Sequence, residues 1–599
     1  MTSGNTSRAP TIGLLLAGGM CLLPFLLPYH QLPIKTFQAE WLVVALGVAA
    51  AFAVICNNRP GIPIPYSARW FGAFAALLLI QAALGHAAYP QLRLTGALLI
   101  LYAMLMIWLG AQLSASLSLN RVAMTLAAFL LAGAIANACA GIIQYYGRPF
   151  WLEDFVAELH GSRAYGNIAQ SNLYANYLAL GLASLLYLWI RGGISSGGVI
   201  AGLALLNFAA ALTGSRTWIL YIAWFSVLCF MASRSRNAVQ AQRLKKAAYG
   251  LMAFTALMQI SVPWINDFLN LGRGWSGSPV SRGGLERVVS SSEFASDLRL
   301  QAWLLAWRIF LDKMAFGTGL GEFARAAFDK GLSFPMAQEG DVWTSPHNVV
   351  LQLLSETGIA GTLLVIGAWG LWWRRIYTHY SHTRNLASGW IIATVGVEAI
   401  QSLIEYPLWN AHFLGVTALL MGIGEVSATP RIQRSNTRLV ATVATVASLT
   451  LAFALGLVLR DYVRLDSVLI TGTAPTLINK AQKEHDETEI REVAQGILAP
   501  IAELWILRGA PLDRSSLTEM LPISERVASY LPSLQVLILR AAWLALADRD
   551  EEAEELARRV LRTFPHRCPD AMRILRQVLE FENVKLQRLL EQVRQSSCR

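Results

Sequence analysis

The chain has 599 residues, of which 55% are hydrophobic and 15% charged, and its mean hydropathy is +0.44. This composition is too apolar for a water-soluble protein, and the chain is too long for a single packed domain. The net charge of +11 does not require a nucleic-acid partner, because cytoplasmic loops of membrane proteins concentrate Lys and Arg. We therefore predict an integral membrane protein that binds membrane lipid and no nucleic acid.

Apolar segments long enough to cross a bilayer as helices recur along the first three quarters of the chain. They predict an all-α polytopic membrane protein with about 12–13 transmembrane helices. We expect the first segment to be retained as a span, because no small-residue cleavage site follows it. The segments are 12–27, 41–55, 70–84, 96–117, 122–145, 173–190, 198–212, 218–231, 247–264, 348–373, 389–404, 413–424 and 439–459.

Basic residues between these segments predict the orientation of the chain in the membrane. If the N-terminus is cytoplasmic, the five most basic loops all fall on the cytoplasmic side, as the positive-inside preference requires. Their basic residues are Arg59 and Arg69; Arg191; Arg234, Arg236, Arg243, Lys245 and Lys246; Arg374, Arg375 and Arg384; and Arg431, Arg434 and Arg438. The extracytoplasmic side then receives loops 149–170, 213–216, 265–347 and 405–412, and the tail from residue 460.

The largest extracytoplasmic loop, 265–347, contains one predicted helix and one glycine-rich turn. Apolar residues at helical spacing predict the helix over 298–310. The glycines of 317–323 fit turn positions, because a phosphate-binding GxGxxG loop needs a preceding strand that this loop lacks.

Beyond residue 459 the hydrophobicity falls and the pattern becomes amphipathic-helical. Segments 541–547 and 553–564 predict two helices joined by a tight turn, which resembles a tetratricopeptide-type hairpin. A single hairpin leaves two interpretations open, a helical bundle that caps the membrane domain or a module that binds protein. We divide the chain into a transmembrane domain, 1–459, and a soluble helical domain on the extracytoplasmic side, 460–599.

The six cysteines carry no metal-binding signature. Four of them lie in or beside spans, where a thiol behaves as a small apolar group. Cys568 and Cys598 lie in the tail, on a side where a disulfide between them is allowed. CxxC, HExxH and Walker motifs are absent from the sequence, and we predict neither a metal nor a cofactor.

A polar group surrounds His347 at the end of the large loop. Pro346 fixes the start of a helix, and Asn348, Gln352 and Glu356 follow at successive turns, so they share one face. Carboxylates at membrane depth are costly unless they face a cavity or a partner, which makes Glu356 and Glu405 candidates for function. A structural salt bridge is the alternative.

Arginines occur in three separate loops of the predicted extracytoplasmic side, where the positive-inside preference disfavours them, and the candidates are Arg163, Arg216 and Arg299. Guanidinium groups keep their charge and bind phosphates through two hydrogen bonds at once. Several of them at a membrane interface would suit a lipid diphosphate. For each arginine alone, a structural ion pair or a contact with a lipid headgroup is the alternative.

Five motifs between Gly161 and Leu408 resemble, in order and spacing, those of the O-antigen ligase superfamily and its bacterial protein O-oligosaccharyltransferase branch. Ser171 stands where that branch usually has proline, and Trp409, Asn410 and His412 stand where it tends to have tyrosines. The motifs are the box from Gly161 to Asn172; Ser215-Arg216; Arg299-x-x-x-Trp303; Pro346-His347-Asn348 with Leu351, Gln352 and Glu356-x-Gly358; and Glu405-Tyr406-Pro407-Leu408.

The resemblance implies a GT-C-like glycosyltransferase of the bacterial inner membrane with its active site facing the periplasm. Such enzymes transfer an oligosaccharide en bloc from undecaprenyl diphosphate to a serine or threonine of an exported protein such as pilin, without nucleotide sugar or metal. His347 would be the general base, and Arg163, Arg216 and Arg299 would stabilise the diphosphate. The remaining residues would contact the donor or acceptor or orient these groups: Asn167, Gln170, Asn172, Asn348, Glu356, Glu405 and Tyr406.

Two other functions remain open at this point. An O-antigen ligase would use the same chemistry with a sugar of the lipid A core as acceptor, and a polysaccharide polymerase is related to it. A transporter of lipid-linked glycans belongs to another class, but the internal symmetry frequent in transporters is not evident. The soluble tail of about 140 residues favours a protein acceptor or partner by analogy.

Overall fold

A computed structural model describes residues 8–56, 64–85, 88–234, 238–270, 294–330, 343–428, 437–472, 480–564 and 567–578. Within these ranges all regular structure is helical. The α-helices are α1 Arg8–Leu22, α2 Phe37–Ile55, α3 Tyr66–Leu84, α4 Pro90–Leu117, α5 Leu119–Tyr146, α6 Ser171–Ile190, α7 Ser196–Leu212, α8 Thr217–Ala232, α9 Ala238–Asn270, α10 Phe294–Asp312, α11 Phe323–Lys330, α12 Val349–Thr383, α13 Leu386–Ser402, α14 Ala411–Ala428, α15 Thr437–Gly472, α16 Lys480–Val493, α17 Ala499–Gly509, α18 Leu517–Tyr530, α19 Leu534–Leu546, α20 Asp550–Thr563 and α21 Cys568–Val578. Short 3-10 helices cover Leu23–Leu26, Phe150–Leu152 and Pro407–Trp409.

The prediction of an all-α polytopic membrane protein is confirmed. Nine helices within the described ranges are long and apolar enough to cross a membrane. Every segment predicted as a span overlaps a helix, but four of them fall on α7, α8, α9 and α13, which are outside that set of nine. The count by length and composition is therefore lower than the 12–13 expected, because α7, α8 and α13 are shorter than 18 residues.

The chain divides into two compact units, and the first consists of Met1–Gly72, Leu99–Ser292 and Ile366–Leu455. Small residues allow its helices to approach closely, as is common among membrane helices. Gly110 of α4 and Gly422 of α14 show this most clearly, because a Cβ at either would collide with a main-chain carbonyl of the other helix. The unit also contains the long buried face of α6.

The second unit consists of Ala73–Leu98, Glu293–Val365 and Gly456–Arg599. Its core joins the tail to the helices of the large loop: Leu305 of α10 and Phe323 of α11 share one apolar cluster with Trp543 and Val560 of the tail. The amphipathic tail helices bury their apolar faces together with those of α10 and α11. The predicted division into 1–459 and 460–599 stays a prediction.

The tail contains the predicted hairpin. Helices α19 and α20 are joined by a tight turn in which Asp548 has a φ of 61°, and the predicted helix over 298–310 lies within α10. Cys568 is disulfide-bonded, which fits an oxidising compartment. Its expected partner, Cys598, lies outside the described residues.

Helix α12 is broken at Gly358, where the apolar pattern predicts a continuous span. Gly358 has a φ of 64°, and the turn that begins at Gly317 inserts at the break. The amides of Thr318 and Gly319 donate to the carbonyls of Ser355 and Glu356, at 3.0 and 2.8 Å. A Cβ at Gly317 or Gly358 would collide with the facing main chain. The glycines of 317–323 are turn residues, as predicted.

Candidate active site

The first group of predicted site residues lies in the first unit, on the loop that leads into α6. Buried Gln144 of α5 shapes this loop, because its Oε1 accepts from the amides of Tyr165 and Gly166, both at 3.0 Å. Its Nε2 donates to the carbonyls of Ala157 and Gly166. Gly166 has a φ of 54°, a conformation that favours glycine. One amide side chain thus fixes the backbone on which Arg163 and Asn167 are carried.

Arg163 is the first member of a chain of three polar side chains. Its Nε donates to the carbonyl of Thr213 at 2.6 Å, and its Nη2 donates to Oδ1 of Asn172 at 2.9 Å. Asn172 in turn donates to Oε1 of Glu405 at 2.8 Å. Glu405 is only 3% exposed, so its position is fixed by packing. Its hydrogen bond orients Asn172, and Asn172 in turn orients the guanidinium of Arg163. The structure therefore brings Glu405 to two residues that precede it by more than 230 positions.

Arg216 lies on the turn that accepts the hydrogen bond from Arg163. The hydroxyl of Thr213 accepts from the amide of Ser215 at 3.0 Å, and Gly214 has a φ of 57°. Arg216 is half-buried at the N-terminus of α8, and its guanidinium has no hydrogen bond or ion pair with any described residue. A cation at a helix N-terminus is electrostatically unfavourable, which suits a residue that meets an anion from outside the chain.

The side chain of Asn167 is hydrogen-bonded within the protein. It is 4% exposed; its Oδ1 accepts from the amide of Ala157, and its Nδ2 donates to the carbonyls of Leu26 and Phe155. These bonds hold the loop to its neighbours, and the predicted contact of Asn167 with substrate stays a prediction. Tyr406 directly follows Glu405, and burial together with that carboxylate raises the pKa of its phenol.

A cleft of about 440 Å³ opens beside Arg163, Gln170 and Asn172. Three basic side chains that the sequence analysis did not identify also line it: His30, Lys35 and His160. No Asp or Glu is among its described lining residues. The sequence contains a sign that His30 and Lys35 have a function. The predicted topology places the loop between α1 and α2 on the extracytoplasmic side, where basic residues are disfavoured.

The second group of predicted site residues lies in the second unit, around His347. This residue has a φ of 53°, which is unusual for a side chain of its size. Its amide donates to Oγ of Ser345 at 3.1 Å, and its ring contacts Trp343 edge-on, with ring centroids 4.9 Å apart. Trp343 also packs against the core shared with the tail, so this core fixes one side of the imidazole. Such local strain is typical of functional positions.

Asn348 and Glu356 each satisfy the free amides at a helix start. Oδ1 of Asn348 accepts from the amides of Val350 and Leu351, at 3.0 and 3.2 Å, and so caps α12. Oε1 of Glu356, which is 1% exposed, accepts from the amides of Gly321 and Phe323, both at 3.1 Å. Their predicted contacts with substrate stay predictions.

Arg299 lies in the second turn of α10 and is half-buried. The structure thus places the predicted residues in two sets. The first unit joins Arg163, Asn172 and Glu405, with Gln170 at the same cleft and Arg216 on the adjoining turn. The second unit contains Arg299, His347, Asn348 and Glu356. That both sets serve one reaction stays a prediction.

A metal site is not evident: within the described ranges, no three His, Cys, Asp or Glu side chains are grouped closely enough to hold an ion.

Three family models match the chain. A model described as "O-Antigen ligase" matches residues 198–366, and one described as "Virulence factor membrane-bound polymerase, C-terminal" matches 390–578. A model described as "Protein glycosylation ligase" matches 164–189. The first of these ranges contains Arg216, Arg299 and His347, and the third begins one residue after Arg163 and contains Gln170.

The chain is also similar to a curated protein, the general O-oligosaccharyltransferase of Acinetobacter baylyi. The two are 28% identical over 446 residues, which cover 70% of this chain and 71% of the relative.

Proposed function

From the premise that this chain belongs to the O-antigen ligase superfamily, in its protein O-oligosaccharyltransferase branch, we propose that it transfers an oligosaccharide from undecaprenyl diphosphate to a serine or threonine hydroxyl of an exported protein such as pilin. The proposal places the chain in a bacterial inner membrane with its active site facing the periplasm. The disulfide at Cys568 supports an oxidising compartment for the tail.

The observation that carries the proposal is the set of cations on the extracytoplasmic loops of the first unit. Arg163 is held in place by Asn172 and Glu405, the guanidinium of Arg216 has no partner among the described residues, and no carboxylate is among the described residues that line the cleft beside Arg163. Fixed positive charge of this kind meets the negative charge that develops on a leaving diphosphate. Because the donors are already oriented, little reorganisation is needed in the transition state.

The reaction needs one displacement. The acceptor hydroxyl attacks the anomeric carbon of the first sugar, and the bond from that carbon to the diphosphate oxygen breaks. The hydroxyl proton passes to the imidazole of His347, and the electron pair of the broken bond leaves on undecaprenyl diphosphate. An imidazole accepts a proton near neutral pH, which a free hydroxyl nucleophile requires. Arg163, Arg216 and Arg299 stabilise the leaving group.

The other residues act on these groups rather than on the substrate bonds. Asn172 and Glu405 orient Arg163, Gln170 contacts the donor at the cleft, and Tyr406 borders the acceptor. The cap formed by Asn348 and the contact with Trp343 hold His347 in its left-handed conformation.

A second candidate function is ligation to a sugar of the lipid A core or glycan polymerisation, which the "O-Antigen ligase" and polymerase matches favour. The test is transfer by the purified full-length protein from one defined undecaprenyl-diphosphate oligosaccharide, offered either pilin or lipid A core. We expect glycosylated pilin and unmodified lipid. Product on lipid alone would contradict the proposed acceptor, and product on neither would contradict the proposed activity.

A further inference from the structure

The cleft beside Arg163 is lined by a second basic segment that comes from a different part of the chain. His30 and Lys35 lie between the 3-10 helix Leu23–Leu26 and α2, and both line the cleft with Arg163 and His160. Its volume of about 440 Å³ lies within the range of about 300–1,000 Å³ typical of ligand pockets. The pocket therefore has room for a group larger than a single phosphate.

His30 has a hydrogen-bonding geometry that favours its charged form. Its Nδ1 lies 3.2 Å from the carbonyl oxygen of Lys35, and its Nε2 lies 3.2 Å from that of Asn167. Carbonyl oxygens only accept, so both contacts are hydrogen bonds only when both ring nitrogens carry a proton. Burial acts in the opposite direction and lowers the pKa of His30, with smaller contributions from the nearby His412 and Lys35. An anion in the cleft would offset that cost.

Lys35 supplies a charge that nothing in the described chain neutralises. Its side chain is exposed, and its ammonium forms no ion pair or hydrogen bond with a described residue. Glu40, five residues further on, faces elsewhere: one of its carboxylate oxygens lies 3.2 Å from Nδ1 of His412, and the other accepts from the amide of Ala411. The acid closest in sequence is thus already engaged, and the cleft remains cationic.

We propose that His30 and Lys35 form, with Arg163, a binding site for a diphosphate group. The site deepens the proposed function and rests on it in one respect, because the donor lipid is the molecule that would supply the diphosphate. Lys35 contributes a cation on a flexible side chain, His30 an imidazole that takes up a proton when the anion binds, and Arg163 an oriented guanidinium, so a group with more than one negative charge is favoured over a neutral sugar.

The experiment measures binding of sodium pyrophosphate to the full-length protein in detergent micelles, which needs neither glycan nor acceptor. In Lys35→Ala we expect the Kd to rise about tenfold, equivalent to about 1.4 kcal/mol. Lys35→Arg should retain most of the affinity, because it keeps the charge. His30→Gln should also weaken binding, by about threefold or more. The matched control is Lys245→Ala, an exposed lysine of the same unit that does not line the cleft.

Equal affinity in the wild type and Lys35→Ala would overturn the proposal, and so would an equal loss in Lys245→Ala. A second arm repeats the measurement in nanodiscs with and without phosphatidylglycerol. If that lipid competes with pyrophosphate in the wild type, the site belongs to a membrane headgroup and the diphosphate assignment falls. If pyrophosphate binding depends on Lys35 while the wild type transfers no glycan, the proposed function fails and the anion site stands.

Discussion

Replacing Arg163 by lysine separates the charge of this residue from its geometry. The guanidinium bonds two acceptors at once, the carbonyl of Thr213 at 2.6 Å and Oδ1 of Asn172 at 2.9 Å. An ammonium at the end of a flexible chain keeps the charge but lacks the planar fork that reaches both. At least one hydrogen bond from a charged group is then lost, which is worth about 1.5–3 kcal/mol.

If this loss appears in the transition state, kcat/KM of glycan transfer should fall about 10- to 100-fold in Arg163→Lys. The assay is the initial rate of transfer from a defined lipid-linked oligosaccharide at several donor concentrations. Arg148→Lys is the matched control, because Arg148 belongs to the same loop and donates to the carbonyls of Glu153 and Val156, but does not line the cleft. Wild-type kcat/KM in Arg163→Lys would refute the reasoning, as would an equal loss in the control.

Three further predictions concern the helix break, the half-buried His30 and the tail. Gly358→Ala should lower both the melting temperature and the transfer rate, because Gly358 has a φ of 64° and a Cβ there would meet the main chain of Ala315. The expected loss in the free energy of unfolding is about 1–3 kcal/mol, and an unchanged melting temperature would contradict the account of the break. The ratio of the pyrophosphate affinity of the wild type to that of His30→Gln should increase as the pH falls through 6.5. Burial holds the pKa of His30 below 6.5 in the free protein, and a bound anion raises this pKa, so the anion binds together with a proton. A constant affinity ratio from pH 8 to pH 5.5 would show that His30 takes up no proton. Cys598→Ser should raise the number of thiols that react with maleimide in SDS without reductant from four to five, because Cys568 loses its partner and denaturation exposes its buried side chain; a count that stays at four would assign the disulfide to another partner.

The features that the sequence predicted well depend on local patterns. Hydropathy over a window of about 20 residues reveals a membrane helix wherever it packs, and every predicted span does overlap a helix. The hairpin of α19 and α20 was similarly evident, because its periodicity and its turn lie within one short stretch.

The features that the sequence did not predict depend on contacts between distant segments. The break at Gly358 arises from a turn that begins at Gly317, some forty residues earlier, and a glycine in an apolar run gives no sign of it. His30 joins the cleft only because the chain folds so that residues 30 and 163 line the same space. The core that the tail shares with α10 and α11 likewise joins segments that are distant in the sequence.

The most direct test of the central claim is the mass of the acceptor after reaction with the purified wild-type protein and an undecaprenyl-diphosphate oligosaccharide of defined mass. We expect one species heavier by the whole oligosaccharide, with release of an equal amount of undecaprenyl diphosphate. His347→Ala should slow this transfer by about 10²- to 10⁴-fold, the usual contribution of a general base. The control His382→Ala, an exposed histidine near the other end of α12, should react at the wild-type rate. Addition of single sugars, or undiminished transfer by His347→Ala, would contradict the account.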